Sequence, residues 1–184
     1  MTSPSKDVWY DRFRPANNWN LYGALLCPTG NWDDYFIRVK VKTSAEIGVC
    51  EFADAVETAG DETDLTIVTT PADNSVVPLL YIPDTEDNRN QLAYDNSADS
   101  YSSLTKSTAK FTTGSYIDAY ILSPGMVLTC KAANSQTIKP GSKVQNAGTA
   151  TVDVYATVNA RIGHVIGQIL SEAALHWFAV MITF

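Results

Sequence analysis

The chain has 184 residues, an apolar fraction of 45% and a net charge of −7, values typical of one globular domain or of one domain with an arm. No window approaches about eighteen consecutive apolar residues, so we expect no membrane span, and the N-terminus shows no apolar core of a secretory signal. The acidic balance disfavours direct binding to nucleic acid, because neutralising phosphates requires a basic surface.

The first thirty-three residues differ from the rest of the chain. They are polar and rich in aromatic residues, with prolines at Pro4 and Pro15 and no sustained helical or strand period. Large aromatic side chains in a segment of weak local structure usually bury themselves against a neighbour. We interpret residues 1–33 as an extended N-terminal docking arm, and the sequence leaves open whether it docks within or between subunits. Residues 34–184 are then a single all-β domain.

Strand patterns begin directly after this arm. Residues 35–43 place Ile37, Val39 and Val41 on one face and basic residues on the other, which is the period of a half-buried strand. Three further strand-like runs follow, at 45–53, 64–70 and 76–83. Pro78 lies in the third of them and predicts an edge strand or a broken one, because proline donates no ladder hydrogen bond.

Residues 84–107 form the most polar region of the chain, and we interpret them as a long polar loop. The oxygen-bearing side chains of Asp84, Glu86, Asp87 and Asn88 raise the question of a calcium site. Their spacing does not match an EF-hand loop and lacks its central glycine. A solvated surface loop is therefore favoured over a metal site.

The last third of the chain is the most regular part. Short strand-like runs at spacings of roughly 8–12 residues predict an all-β sandwich or barrel. The pairs Pro124-Gly125 and Pro140-Gly141 predict type II turns, because proline presets the first corner and glycine accepts positive φ at the second. Residues 171–177 allow one helical turn at most. We predict a compact β-barrel or β-sandwich of short antiparallel strands with an extended N-terminal arm.

The residue types that carry chemistry are sparse. No nucleotide-binding, zinc-protease or serine-hydrolase motif occurs, and His164 and His176 are flanked by apolar residues. Packed or hydrogen-bonded roles are favoured for both histidines. Carboxylate pairs at 33–34 and 62/64 leave a glycosidase open, since their separation is spatial. We expect a protein that is not an enzyme and has no cofactor and no metal.

The three cysteines are widely spaced, at Cys27, Cys50 and Cys130. No CxxC pair or Cys/His cluster accompanies them, so a structural zinc site is not expected. Cys50 and Cys130 lie in strand-like runs, where a thiol usually packs as a small apolar side chain. We predict that both are buried.

The C-terminal residues 125–184 resemble the small capsid decoration (cement) proteins of tailed bacteriophages and related viruses. The shared pattern is a G-x-V-L strand, a G-x-x-V turn, a G-x-V-x-G-x-apolar strand and a closing W-x-x-V-x-apolar strand. These elements are Gly125–Leu128, Gly141–Val144, Gly163–Ile169 and Trp177–Ile182. The N-terminal arm and the polar loop have no counterpart in that pattern.

The resemblance implies a structural virion protein on the outside of an icosahedral capsid, where it would bridge neighbouring subunits of the major capsid protein. It also implies a homo-oligomer, with a trimer favoured. Aromatic anchors with adjacent arginines would then make the capsid contact. The candidate partner-binding residues are Trp9, Tyr10, Arg12, Phe13, Arg14 and Trp19. An alternative is a tail or fibre module that binds a glycan or a receptor, favoured by the polar loop. The sequence leaves open whether Trp32, Tyr94 and Tyr101 form a sugar platform, cover the core or line a subunit contact.

Overall fold

The computed structural model describes residues 37–56, 66–71, 76–97, 108–133, 137–147, 151–157, 159–172 and 175–184. Within these ranges the chain forms ten strands and one helix. The strands are β1 (Arg38–Thr43), β2 (Glu51–Val56), β3 (Thr66–Thr69), β4 (Leu80–Ile82), β5 (Tyr116–Ile121), β6 (Val127–Ala133), β7 (Lys143–Asn146), β8 (Val152–Val154), β9 (Arg161–Glu172) and β10 (Leu175–Ile182). Helix α1 spans Glu86–Asp95, between β4 and β5.

The strands close into two barrels of five strands each. The first has the order β1-β3-β2-β4-β5 and the second has the order β10-β6-β8-β7-β9. The all-β prediction is confirmed, with barrels as the architecture. Each barrel also contains one parallel pair, β1 with β3 and β6 with β8, where the sequence predicted antiparallel strands alone. Closure leaves neither sheet with a free edge, which limits edge-to-edge association.

The two barrels have the same topology. When β1 to β5 are matched in order with β6 to β10, every pairing of the first barrel has a counterpart of the same sense in the second. The amide of Ile121 donates to the Ile37 carbonyl at 3.1 Å, and the amide of Ile182 donates to the Met126 carbonyl at 2.8 Å. These bonds join equivalent strand ends. The chain is therefore an internal structural duplication.

The turn before the second strand of each barrel supports this duplication. The Cys50 amide donates to Ile82 and the Gly141 amide donates to Val165, both at 2.7 Å. Cys50 has φ 60° and Gly141 has φ 90°, so both turns need a left-handed residue although only one uses glycine. Gly125 also has positive φ, so both Pro-Gly glycines have the backbone conformation that the sequence predicted.

The buried residues form one hydrophobic cluster that includes members from both barrels. Its large side chains include Phe52 and Tyr81 from the first barrel and Leu128 and Trp177 from the second. Phe52 and Tyr81 meet edge to face, with ring centroids 5.8 Å apart. Cys50 and Cys130 are both buried, as the sequence predicted.

Helix α1 corrects the interpretation of residues 84–107 as a loop. Thr85 caps the helix by accepting a bond from the Asn88 amide, and the first turn carries acidic residues that favour a helix N-terminus. The helix buries only Asn88 and Leu92, so no apolar period marked it in the sequence. The remaining part, 98–107, lies outside the described residues.

The segment 171–177 also differs from its prediction. The sequence allowed a single helical turn there, whereas the described part of the segment belongs to the antiparallel strands β9 and β10. Pairing across the hairpin outweighs a weak local helix preference, since one isolated turn gains little from its own hydrogen bonds.

Gly163 in β9 is required by the close approach of the β10 backbone. A Cβ atom there would lie 2.1 Å from the Met181 carbonyl oxygen, whereas a Cβ at Gly167 of the same strand meets nothing within 4 Å. We predict that Gly163→Ala lowers the free energy of unfolding by about 2–3 kcal/mol, because the strands must move apart. Gly167→Ala should change it by less than about 1 kcal/mol. Urea denaturation of both variants checks this, and equal midpoints would contradict the predicted clash.

Candidate functional site

Direct hydrogen bonds connect the two barrels. The Tyr81 hydroxyl of the first barrel donates to the Thr129 carbonyl of the second at 2.6 Å. The Asn146 side chain of β7 donates to the Val76 carbonyl at 2.7 Å. Tyr81 and Thr129 are buried, so water does not compete for the first bond, whereas Val76 of the second is 53% exposed. The barrels therefore meet through specific polar contacts as well as through shared apolar packing.

A buried ion pair lies at the same junction. Lys131 of β6 donates to Glu51 Oε1 of β2 at 3.1 Å, and both side chains are at most 1% exposed. Lys110 binds the same oxygen, and the Gly48 amide donates to Glu51 Oε2 at 2.8 Å. The Lys131 ammonium also lies 5.0 Å from the ring centroid of Trp177. The Glu51 carboxylate thus binds two lysine ammoniums and one backbone amide, and the Lys131 ammonium also lies against an aromatic ring.

The electrostatics of the junction follow from its burial. Desolvation alone would raise the pKa of Glu51, but the charges of Lys131 and Lys110, with bonds from Lys110 and the Gly48 amide, lower it overall. Glu51 is therefore an anion in the folded protein near neutral pH. Burial raises the pKa of Tyr81 and that of Cys130 well above their usual values, so both stay neutral in the core.

The duplication places an equivalent pair on the first barrel. Lys42 of β1 lies opposite Tyr116 of β5, just as Lys131 lies opposite Trp177. The Lys42 ammonium lies 5.9 Å from the Tyr116 ring centroid. This pair is open to solvent, since Tyr116 is 52% exposed. We call Lys42 and Tyr116 the outer pair, and Lys131 and Trp177 the inner pair.

A shallow depression of about 360 Å³ adjoins the outer pair, between the C-terminal half of α1 and the start of β5. Its lining includes Tyr94, Asp95 and Tyr116, and Tyr94 is 82% exposed. Asp95 already accepts bonds from Gln91, from the Thr112 amide and from the Ser115 hydroxyl. Asp95 therefore holds the wall of the depression together.

The four residues considered for calcium do not converge on one point. Asp84 pairs with Arg89 at 3.0 Å, and Asp87 pairs with Arg38 at 2.6 Å. Asn88 is buried, where its amide nitrogen donates to the carbonyls of Pro83 and Asp118. In the part of the chain that the structure describes, no group of three or more His, Cys, Asp and Glu residues could hold a metal ion.

The two histidines lie on β9 and β10. His164 Nδ1 is 3.1 Å from the Thr183 hydroxyl, and His176 Nδ1 is 3.5 Å from the Gln168 amide nitrogen. These are the hydrogen-bonded surroundings that the sequence favoured.

Among the residues in the described ranges, no helix is long and apolar enough to cross a membrane.

The predicted partner-binding residues all fall within 1–36, outside the described residues: Trp9, Tyr10, Arg12, Phe13, Arg14 and Trp19. Also outside the described residues are Trp32, Tyr101 and the carboxylate pairs at 33–34 and 62/64. Sequence reasoning missed the junction, because Glu51 and Lys131 are 80 positions apart. A usable signal was present, since each is a lone charge in an otherwise apolar run.

Comparison with known proteins gives a structural likeness but no match in sequence. No family model matches the sequence, and no curated protein matches it. A solved structure described as the head fiber gp8.5 N base in bacteriophage phi29 has a TM-score of 0.46 and 8% sequence identity to this chain. The similarity covers 81% of this chain and 98% of that one. A likeness of this degree assigns no function.

The inner and outer pairs provide a matched test of the junction. We predict that Lys131→Met lowers the free energy of unfolding by about 3 kcal/mol, because the buried Glu51 carboxylate loses one of its two cations. Lys42→Met, at the equivalent half-buried position without an ion pair among the described residues, should cost less than about 0.5 kcal/mol. Denaturant titration of both variants measures the difference. Equal stabilities would show that the buried ion pair does not hold the barrels together.

The lowered pKa of Glu51 also predicts a pH dependence. A carboxylate whose pKa is lower folded than unfolded contributes stability above the unfolded value of about 4.3, and that stability is lost as pH falls through the folded pKa. The gap in unfolding free energy between the wild type and Glu51→Gln should therefore be largest near neutral pH and shrink below about pH 4.

Urea denaturation across this pH range measures the gap. The exposed Glu46 gives the control, since Glu46→Gln should lower the free energy of unfolding far less than Glu51→Gln at neutral pH. A gap that stays constant from neutral to acidic pH would contradict the assignment of this titration to Glu51.

Proposed function

We propose that the protein is a structural component of a virion that binds the outside of an icosahedral capsid and bridges neighbouring subunits of the major capsid protein. The carrying observation is the pair of duplicated barrels joined by a buried ion pair and by cross-barrel hydrogen bonds. A bridge between subunits has to keep its shape under load. Two closed barrels joined through a buried ion pair meet that requirement, since bending at the junction would separate the buried charges.

The resemblance to decoration proteins supports this proposal in a specific way. Its four sequence elements fall on the start of β6, the turn into β7, strand β9 and strand β10. All four strands are members of the second barrel. The resembling pattern thus corresponds to one closed unit of the fold.

The proposed mode of action is binding without a chemical reaction, and it involves no cofactor. Attachment would use the N-terminal arm, residues 1–33, with its aromatic anchors and adjacent arginines. Each anchor buried at such an interface contributes on the order of 1–3 kcal/mol. A homotrimer would present three arms to the shell at once, and this multivalency would raise the overall affinity.

A glycan- or receptor-binding role is the second candidate function. One observation favours it, the exposed Tyr94 beside the depression at the end of α1. An aromatic ring on a shallow, polar-lined surface can stack on a sugar face. A glycan array separates the candidates, because a capsid-bridging protein should bind none of its sugars. Glycan binding that Tyr94→Ala abolishes would favour the second candidate.

The arm supplies the decisive test of capsid attachment. We predict that deletion of residues 2–20 leaves the unfolding midpoint of the barrels within about 3 °C of the wild type and lowers occupancy on purified shells at least tenfold. Combined alanine substitution of Trp9, Phe13 and Trp19 should reproduce most of that loss. Co-sedimentation with shells, followed by gel quantification, gives the occupancy. Unchanged occupancy of the deletion variant would refute attachment through the arm.

A further inference from the structure

The inner and outer pairs occupy one position of a duplicated fold. Each lysine lies five residues after Ile37 or Met126, and each aromatic residue lies five residues before Ile121 or Ile182. Those four residues form the equivalent bonds that close each barrel. The alignment of the two pairs therefore rests on backbone hydrogen bonds and not on side-chain similarity.

The inner pair shows what this arrangement binds. A lysine ammonium beside an aromatic ring takes the carboxylate of Glu51, which belongs to the neighbouring barrel. The glutamate follows a tight turn and lies in the short apolar run Val49–Ala53, which is buried with it. The bound group is thus an acidic side chain presented by an apolar segment.

The outer pair has the same chemistry without that occupant. The Lys42 ammonium lies over the Tyr116 ring, and it makes no ion pair with any residue in the described ranges, in contrast to Arg38 and Lys40 of the same strand. Tyr116 and the nearby Tyr94 are largely exposed. An ammonium over an exposed ring, without an ion-pair partner among the described residues, has charge complementarity to an anion that brings apolar neighbours.

We infer that the outer pair is a docking site for a partner protein that presents an aspartate or glutamate within a short apolar segment. The carboxylate would bind the Lys42 ammonium, and the apolar neighbours would cover the Tyr116 ring. The site is formed by residues other than those of the proposed N-terminal arm. It adds a second contact to the proposed capsid attachment, but it does not depend on that proposal.

A synthetic peptide provides a probe that needs no capsid. Its sequence copies residues 47–56, the segment that the inner pair binds, with Cys50 replaced by serine to prevent oxidation. Titration into the ¹⁵N-labelled full chain should shift the amide resonances of Lys42 and Tyr116 in a saturable way. Tyr116→Ala should weaken binding at least threefold.

Charge reversal makes the test specific. Lys42→Glu should weaken binding of the glutamate peptide at least tenfold, and it should restore binding of a peptide in which that glutamate is replaced by lysine. Lys143→Glu, at an exposed lysine of β7, is the matched control and should leave the affinity unchanged.

Three results would overturn the inference. The first is a set of shifts that maps away from the outer pair, and the second is unchanged affinity of Lys42→Glu. The third is concentration-dependent dimerisation of the wild type in sedimentation that Lys42→Glu abolishes, because the occupant would then be a second copy. None of these results bears on the arm, whose deletion is tested separately on shells.

Discussion

The buried ion pair between Glu51 and Lys131 is the constraint on which the rest of the structure depends. A buried charge pair is stable only when its geometry is closely fixed. Gly48 contributes to that geometry in two ways. Its amide holds Glu51, and a Cβ atom on it would lie 3.0 Å from that carboxylate and 3.2 Å from the Lys131 ammonium. Shape and charge at the junction are thus set together. The barrels keep one relative placement because any other placement would leave a buried charge without its partner.

Duplication explains where this junction came from in structural terms. One lysine–aromatic position occurs twice, and its surroundings decide what it does. In the second barrel the first barrel covers it, so Lys131 and Trp177 are removed from solvent. In the first barrel no described residue supplies the matching carboxylate, so Lys42 and Tyr116 remain open to solvent. The same backbone register therefore yields a structural joint at one site and a candidate binding surface at the other.

Local patterns predicted the strands well, and long-range features escaped prediction. The alternation of residues 35–43 indicated β1, and the Pro-Gly pairs indicated turns whose glycines have positive φ. The sequence did not reveal the duplication, because the similarity lies in backbone pairing. The Val49-Cys50 turn of the first barrel occupies the position that Pro140-Gly141 occupies in the second. Helix α1 was missed because its stability comes from its cap and from Asn88, which bonds to the β5 backbone, and neither produces an apolar period. The partner of Glu51 is 80 positions away, beyond any local pattern.

The divergence between the two barrels follows a physical order. Backbone bonds at the strand ends are retained, since losing one leaves a buried amide unsatisfied. Side chains on the surface are free to change, since their contribution to stability is small. The outer pair departs from that expectation. Lys42 and Tyr116 repeat the lysine–aromatic pair of the second barrel, although no described residue supplies a carboxylate like the one that the inner pair binds. Replacing Lys42 or Tyr116 should cost little stability, so the presence of this pair is better explained by binding than by folding. The inferred docking role accounts for the lysine–aromatic pair of the first barrel, which contributes little to folding.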